Sequence, residues 1–388
     1  MDTEALKESW AAVAARGDEV PLFFYSHLFL SHPETRDMFP MSMAAQRDKL
    51  VAALGQVVSG VDALDEVIPV LQQLGRDHRR FGALADHYPA VGASLLATLA
   101  HFLGPQWTDK LAAQWTEAYQ TVSGVMISAA EESAASTPAW WNGEIIAVER
   151  RGVDVGIFQV RLDQPFAFTP GQSTAVEYAR RPRQWRYYSP ANAPRTDNTL
   201  ELHVKVVDGG TVSTALVQVG AVGDTLRLGA PIGDRLVLGD DQRDLLMVAG
   251  STGLAPMRAV LEQLDREWRA NRMRRRVHLF FGVRGQWDLY EDGLLTELAA
   301  SRDWFSYSPV VSDDPFYRGA RGVVGDAAVH SGQWADRDCL ICGSVGMVQH
   351  TVAALRSAGV PAERIRYDEF TPGSADPAVD ANRARWGA

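Results

Sequence analysis

The sequence predicts a multidomain chain: an all-α domain, then a small antiparallel β-barrel, then a doubly wound α/β domain. Three observations carry this. Through the first third, apolar residues recur at helical spacing. From Trp140 the period shortens to that of short strands broken by Gly and Pro. Past Gly239, apolar runs of strand length alternate with helical stretches, the pattern of a parallel sheet with crossover helices. A length of 388 residues exceeds what one core commonly supports, which agrees with several domains.

In the first part, Leu50, Leu54, Val57 and Val61 share a helical stripe, as do Leu111, Trp115, Ala118, Val122 and Val125. Ser31-His32-Pro33-Glu34 ends one helix, and Pro33 suits the first turn of the next. A stretch rich in Ala, Glu, Ser and Thr before Pro138 marks a boundary, so the first domain is assigned to 1–137. The runs 143–148, 157–162, 174–178, 200–207 and 225–228 are β-branched and alternating. Pro170-Gly171, Asp208-Gly209-Gly210 and Pro231-Ile232-Gly233 supply turns between them, which predicts a barrel over 138–240. In 241–388, strand 245–249 leads to a helix at 256–269, strand 277–281 precedes a helix at 289–300, and strand 338–341 precedes a helix at 345–357.

The apolar share of 46% is that of a folded chain, and a net charge of −10 argues against nucleic acid or anionic membrane as a partner. The basic run Arg272 to Arg276 is a local exception, read as a solvated helix end facing the C-terminal dipole. Two cysteines, Cys339 and Cys342, fall in one strand, which suits neither a disulfide nor a zinc framework. With Asp2, Glu4, Lys7 and Glu8 in the opening stretch, no signal peptide is expected, and no apolar stretch has membrane-spanning length. A cytoplasmic monomer is the expectation.

Four motifs carry chemistry. Gly250-Ser251-Thr252-Gly253 lies between a buried strand and a helix. Glycines there let backbone approach a pyrophosphate at the helix N-terminus, with Ser251 or Thr252 as the cap. A plain strand-to-helix turn would read the same way. Arg186-Tyr187-Tyr188-Ser189 puts a guanidinium and a phenol on one strand face, suited to phosphate and to a flat aromatic ring. Val212, Ser213 and Thr214 follow the Asp208 turn, and the hydroxyls among them offer further phosphate contacts; for either piece alone a decorated hairpin is the favoured reading. Cys342-Gly343 ends a strand in the α/β part.

In this order, on a barrel followed by a doubly wound sheet, the motifs resemble the ferredoxin-NADP reductase superfamily over roughly 140–370. The resemblance implies that Arg186, Tyr187, Tyr188, Ser189, Val212, Ser213 and Thr214 bind FAD, and that Phe370 covers the flavin. Thr252, Gly253, Cys342 and Gly343 would frame the nicotinamide of NADH or NADPH. Arg284, at the end of an apolar run, would meet a 2′-phosphate, stack on adenine or pair with Asp288. Ser173 departs from the pattern, since relatives often carry an aromatic there.

In the helical part, Phe24-Tyr25, His32-Pro33-Glu34, Met38-Phe39, Gln46, His78, Tyr88-Pro89 and Glu117-Ala118-Tyr119 resemble a globin of the flavohaemoglobin type over about 6–128. The combined resemblance is to flavohaemoglobins, with haem b held by His78. It implies that Tyr88 and Glu117 support that ligand, that Phe39 lies on the porphyrin, and that Tyr25 and Gln46 face bound dioxygen. Asp77 departs from the family, whose members tend to carry a lysine there, and an acid disfavours an anionic reduced flavin. The activity implied is oxidation of nitric oxide to nitrate with electrons from NAD(P)H. The alternatives are oxidoreduction of another substrate, such as an organic acid or peroxide, and sensing of oxygen or nitric oxide.

Overall fold

The computed structural model describes residues 2–370. Two compact units make up the chain, and the second begins at Trp141.

The first unit is helical: α1 (Thr3–Ala14), α2 (Glu19–Ser31), α3 (Ala44–Ser59), α4 (Leu64–His78), α5 (Tyr88–Leu103) and α6 (Asp109–Ala134), with short 3₁₀ turns between. Local chemistry sets the ends. The Asp2 carboxylate accepts from the Ala5 N–H at 3.2 Å, and the Thr108 hydroxyl from the Leu111 N–H at 3.2 Å, each satisfying a first-turn donor. After α2 the backbone extends at His32 and re-enters as a 3₁₀ turn, Pro33–Met38. Gly75 is the point of closest approach between α4 and α6, for a Cβ there would collide with the backbone of Met126. The buried apolar residues form two clusters rather than one. The larger joins α1, α2, α5 and Trp115 of α6; the smaller holds Val67, Leu71 and Met126.

The second unit opens with an antiparallel sheet of β1 (Trp141–Arg151), β2 (Val155–Leu162), β3 (Ser173–Tyr178), β4 (Trp185–Tyr188), β5 (Thr199–Lys205) and β6 (Thr225–Ile232), in the order β4-β3-β6-β1-β2-β5. The expected barrel is not closed. Between β4 and β5 there is a single bridge, Pro190 to Leu202, because β4 has only four residues and Pro190 has no N–H with which to extend a ladder. The helix α7 (Thr211–Val219) follows β5 and buries Val212 and Leu216 against the sheet.

The remainder is a parallel sheet with helices on both faces: β7 (Leu245–Gly250), α8 (Leu254–Arg269), β8 (Val277–Val283), α9 (Asp292–Ser301), β9 (Phe305–Val311), β10 (Ala320–Arg321), α10 (Val324–Ser331), β11 (Asp338–Ser344), α11 (Val345–Ser357) and β12 (Ile365–Phe370). Its order is β10-β9-β8-β7-β11-β12. The central strand β7 is apolar on both faces, as a covered parallel sheet requires. Leu245, Met247 and Ala249 enter one core, Leu246 and Val248 the other. The first of these cores also takes in Val155 and Ile157 of β2, so the two sheets of this unit share apolar packing. The basic run departs from expectation at Arg275. It lies beyond the end of α8, is 3% exposed, and donates to the main-chain carbonyl of Asp241, so one of the four arginines is structural. Cys339 and Cys342 are separate buried thiols. Among the described residues no helix is long and apolar enough to cross a membrane.

Candidate functional site

In the helical unit, His78 closes α4. Its Nδ1 lies 2.6 Å from the Leu74 carbonyl one turn back, so Nδ1 carries the proton and Nε2 the lone pair that a metal takes. Phe81 stands edge-on to the imidazole at 6.0 Å. Tyr25 on α2 is buried and sits edge-on to Phe39 at 5.5 Å, with Phe29 5.3 Å from Phe39. Burial pushes the Tyr25 phenol up to about 12, so it is a neutral O–H donor at physiological pH. Its hydroxyl reaches the main-chain carbonyl of Gln46 at 3.4 Å, which brings together two of the predicted residues.

Tyr88, at the start of α5, packs against the same smaller cluster as Leu74, the residue whose carbonyl holds His78. Its own carbonyl accepts from the Tyr119 hydroxyl at 2.6 Å, and burial raises the Tyr88 phenol. Glu117 does not join this group. Arg79 bonds the Ser133 hydroxyl at 2.7 Å, so α4 and α6 advance the same way past the Gly75–Met126 contact. His78 therefore faces the stretch of α6 after Met126, while Glu117 lies nine residues before it, about 14 Å along the helix, and is exposed. The second nitrogen of His78 is served by Leu74 instead. Asp77 differs from expectation too: it is buried and paired with Arg80 at 3.0 Å, which neutralises it within its own helix turn.

The unit fits a haem. It supplies an imidazole in the metal-binding tautomer, and α3 presents Leu50, Val51, Leu54 and Val57 half-buried between two clusters that do not merge. Four apolar side chains on one helix, none fully covered, suit a flat apolar group.

In the antiparallel sheet, β3 holds β4 in register, Val176 opposite Arg186 and Thr174 opposite Tyr188. Arg186 spends one N–H on the Trp185 carbonyl at 2.8 Å, and among the described residues no carboxylate pairs with it. Burial raises the Tyr188 phenol against the opposing pull of that cation. The Ser189 hydroxyl is buried with no hydrogen-bond partner among the described residues. An unpaired guanidinium, an unsatisfied hydroxyl and a neutral phenol in succession fit a phosphate-bearing flavin. Val212, Ser213 and Thr214 lie in the first turn of α7 rather than in a hairpin. Val212 points into the core and the Ser213 hydroxyl accepts from the Val207 N–H at 3.4 Å, which leaves the half-buried Thr214 side chain and the N–H groups at the start of that turn as the parts suited to an anion.

In the parallel sheet, the carboxyl ends of β7, β8, β11 and β12 carry Gly250 to Gly253, Arg284, Cys342-Gly343 and Phe370. Cys342 lies in register with Ala249, and Gly253 presses so closely on the Cys342 carbonyl that a Cβ would collide with it. Ser251 takes a left-handed φ of 52° to make the turn. Neither Ser251 nor Thr252 caps α8; Gly253 is the N-cap, without a side-chain bond, and the Leu254 N–H turns back to the Ser251 and Thr252 carbonyls. Arg284 is exposed, and Asp288 turns to its own loop, accepting from the Gly285 N–H at 3.0 Å. Ser344 pairs in register with Phe370, which is half-buried. The cleft outside these strand ends is where open α/β sheets bind dinucleotides.

Sequence reasoning missed Tyr119 as a partner of Tyr88, Arg80 as the counter-ion of Asp77, and Leu74 as the acceptor for His78. The last two follow helical spacing, three and four residues away.

Comparison with known proteins agrees in order and extent. The chain matches the Globin family over residues 22–126, the Oxidoreductase FAD-binding domain over 142–235 and the Oxidoreductase NAD-binding domain over 247–353. It is 25% identical to the Flavohemoprotein of Bacillus subtilis (strain 168) over 400 residues, covering 95% of this chain and 96% of that one. It is 30% identical over 240 residues to the ferredoxin–NAD(P)(+) reductase component of the naphthalene 1,2-dioxygenase system of Pseudomonas putida, covering 60% of this chain and 69% of that one. In fold it is similar to the flavohemoglobin of Malassezia yamatoensis solved with bound FAD and heme, at a TM-score of 0.75 and 20% identity over 95% of this chain and 98% of that one.

Proposed function

The chain belongs to the flavohaemoglobin family, a globin followed by a flavin- and nicotinamide-binding reductase, and from that premise we propose that it is a nitric oxide dioxygenase. It is an NAD(P)H-dependent oxidoreductase that works with FAD and haem. When bound, FAD takes a hydride and releases electrons singly, and haem iron takes those electrons and binds the gas. The side chains do the rest. His78 holds the iron, with its tautomer set by Leu74. Phe39 lies against the porphyrin, and Tyr25, with Gln46 beside it, offers a neutral O–H to the gas. Arg186 and Ser189 hold the flavin phosphates, while Tyr188 and Phe370 cover its ring. Thr252 and Gly253 receive the nicotinamide beside Cys342 and Gly343, and Arg284 meets the adenosine end.

We assign the globin to 1–137, the flavin domain to 138–240 and the nicotinamide domain to 241–388, in a cytoplasmic monomer. One observation carries the reading: a histidine set in its metal-binding tautomer shares a chain with a nicotinamide cleft. A gas store or sensor has no need of its own hydride supply. Electron counting gives the test. A nicotinamide yields two electrons and each nitric oxide turnover takes one, so in air one NAD(P)H should vanish for every two nitrate ions formed. Nicotinamide oxidation that ignores added nitric oxide, with no nitrate, would move the activity to another acceptor such as a peroxide.

A further inference from the structure

Within the second unit, a buried run of polar side chains crosses from the antiparallel sheet into the parallel-sheet domain. It starts on β5, where Glu201 and His203 share a strand face. The His203 side chain has no exposed surface. Its Nε2 lies 3.0 Å from Glu201 Oε1, and its Nδ1 lies 3.0 Å from the hydroxyl of Tyr290, just ahead of α9. Arg258 on α8 extends the run, contacting Glu201 at 3.3 Å and Glu291 at 2.6 Å.

One arrangement of protons satisfies each of these ring and hydroxyl groups. The Tyr290 hydroxyl donates to Nδ1, and Nε2–H donates to the Glu201 carboxylate. Apolar side chains of the same volume would fill this space at less desolvation cost. What hydrogen bonds add is direction: they fix distance and angle where apolar surfaces slide.

The group so fixed is the ring of Tyr290. It stands edge-on to Phe281 at 5.9 Å and belongs to the same apolar core as Cys342. Phe281 and Cys342 lie in register on either side of Ala249, on one face of the sheet. We propose that His203 and Tyr290 are positioning residues for hydride transfer. Held by Glu201, they support the floor beneath Cys342 and so set how the nicotinamide cleft is registered against the flavin-binding sheet. The inference rests on the nicotinamide cleft proposed above.

Tyr290→Phe keeps the ring and removes only the hydroxyl. In anaerobic stopped-flow reduction of the FAD-loaded full chain by NADH and NADPH, its limiting rate should fall about tenfold while half-saturation moves less than about twofold. The isotope effect with 4-deuterated nicotinamide should rise. His203→Gln, whose amide can accept from Tyr290 and donate to Glu201, should lie nearer the parent than His203→Leu. A limiting rate per bound FAD within about twofold of the parent overturns the proposal, even if FAD content or melting temperature falls, because a merely structural role moves only those. Absence of flavin reduction in the unaltered chain would be seen first; it sinks the cleft reading and this inference with it.

Discussion

Gly253 and the Cys342 carbonyl are in contact so tight that no side chain fits between them. The turn after β7 is thereby seated on the end of β11, and the two Gly-containing motifs, far apart in sequence, become one wall. Gly253→Ala must push α8 from the sheet. It should destabilise the reductase part by about 1–3 kcal/mol and slow flavin reduction, with the haem spectrum unchanged. A variant as stable and as fast as the parent would show that the contact is loose.

Haem and flavin loading should separate by mutation. His78→Ala should purify with FAD and little haem, read from the ratio of the Soret band to the flavin band. Arg186→Ala should keep the Soret band and lose FAD, since its guanidinium is the one on β4 without an acidic partner among the described residues. Full loading in either variant would place that ligand elsewhere.

Asp368 on β12 titrates unusually. Burial lifts its carboxyl from 3.8 to about 6, against the pull of Arg235. The folded state therefore binds a proton more tightly than the unfolded chain. Stability from this group is present below about pH 4 and lost as pH rises through about 6, a change on the order of 1–3 kcal/mol. Asp368→Asn should flatten urea midpoints across that window. An unchanged slope would mean that the carboxyl is not buried in solution.

Asp77 and Arg80 form a buried pair. Arg80→Met removes the cation and should cost about 3–5 kcal/mol of globin stability, measured by thermal melting. Asp77→Asn in the same chain should recover much of it. A loss below about 0.5 kcal/mol for Arg80→Met would contradict the pairing.

Legibility in the sequence followed the physics of each segment. The helix at 345–357 appears at those residues as α11, because a buried strand and a Gly-containing turn mark its start. β9 went unread: Ser306, Ser308 and Pro309 interrupt its alternation, and proline is admitted only because the strand lies near the sheet's edge beside two-residue β10. α7 went unread for the opposite reason. Its Thr and Val residues favour strand, and burial of Val212 and Leu216 one turn apart overrides that preference. Barrel closure depended on Pro190, whose missing donor no alternation pattern reveals. In the site, the surroundings of His78 are local in sequence, with Leu74 one turn back, and so are within reach of helical spacing. Where Glu117 lies relative to α4 was not legible, because motif spacing along α6 does not say which stretch packs on α4; the Gly75–Met126 contact does.

The central claim is that electrons delivered as hydride at the cleft beside Cys342 pass singly from the flavin to the iron that His78 would hold. The direct measurement is the visible spectrum of haem- and FAD-loaded protein after NADH is added without oxygen. The account predicts that the flavin bleaches first and the haem then turns ferrous. Flavin that bleaches while the haem stays ferric would contradict it.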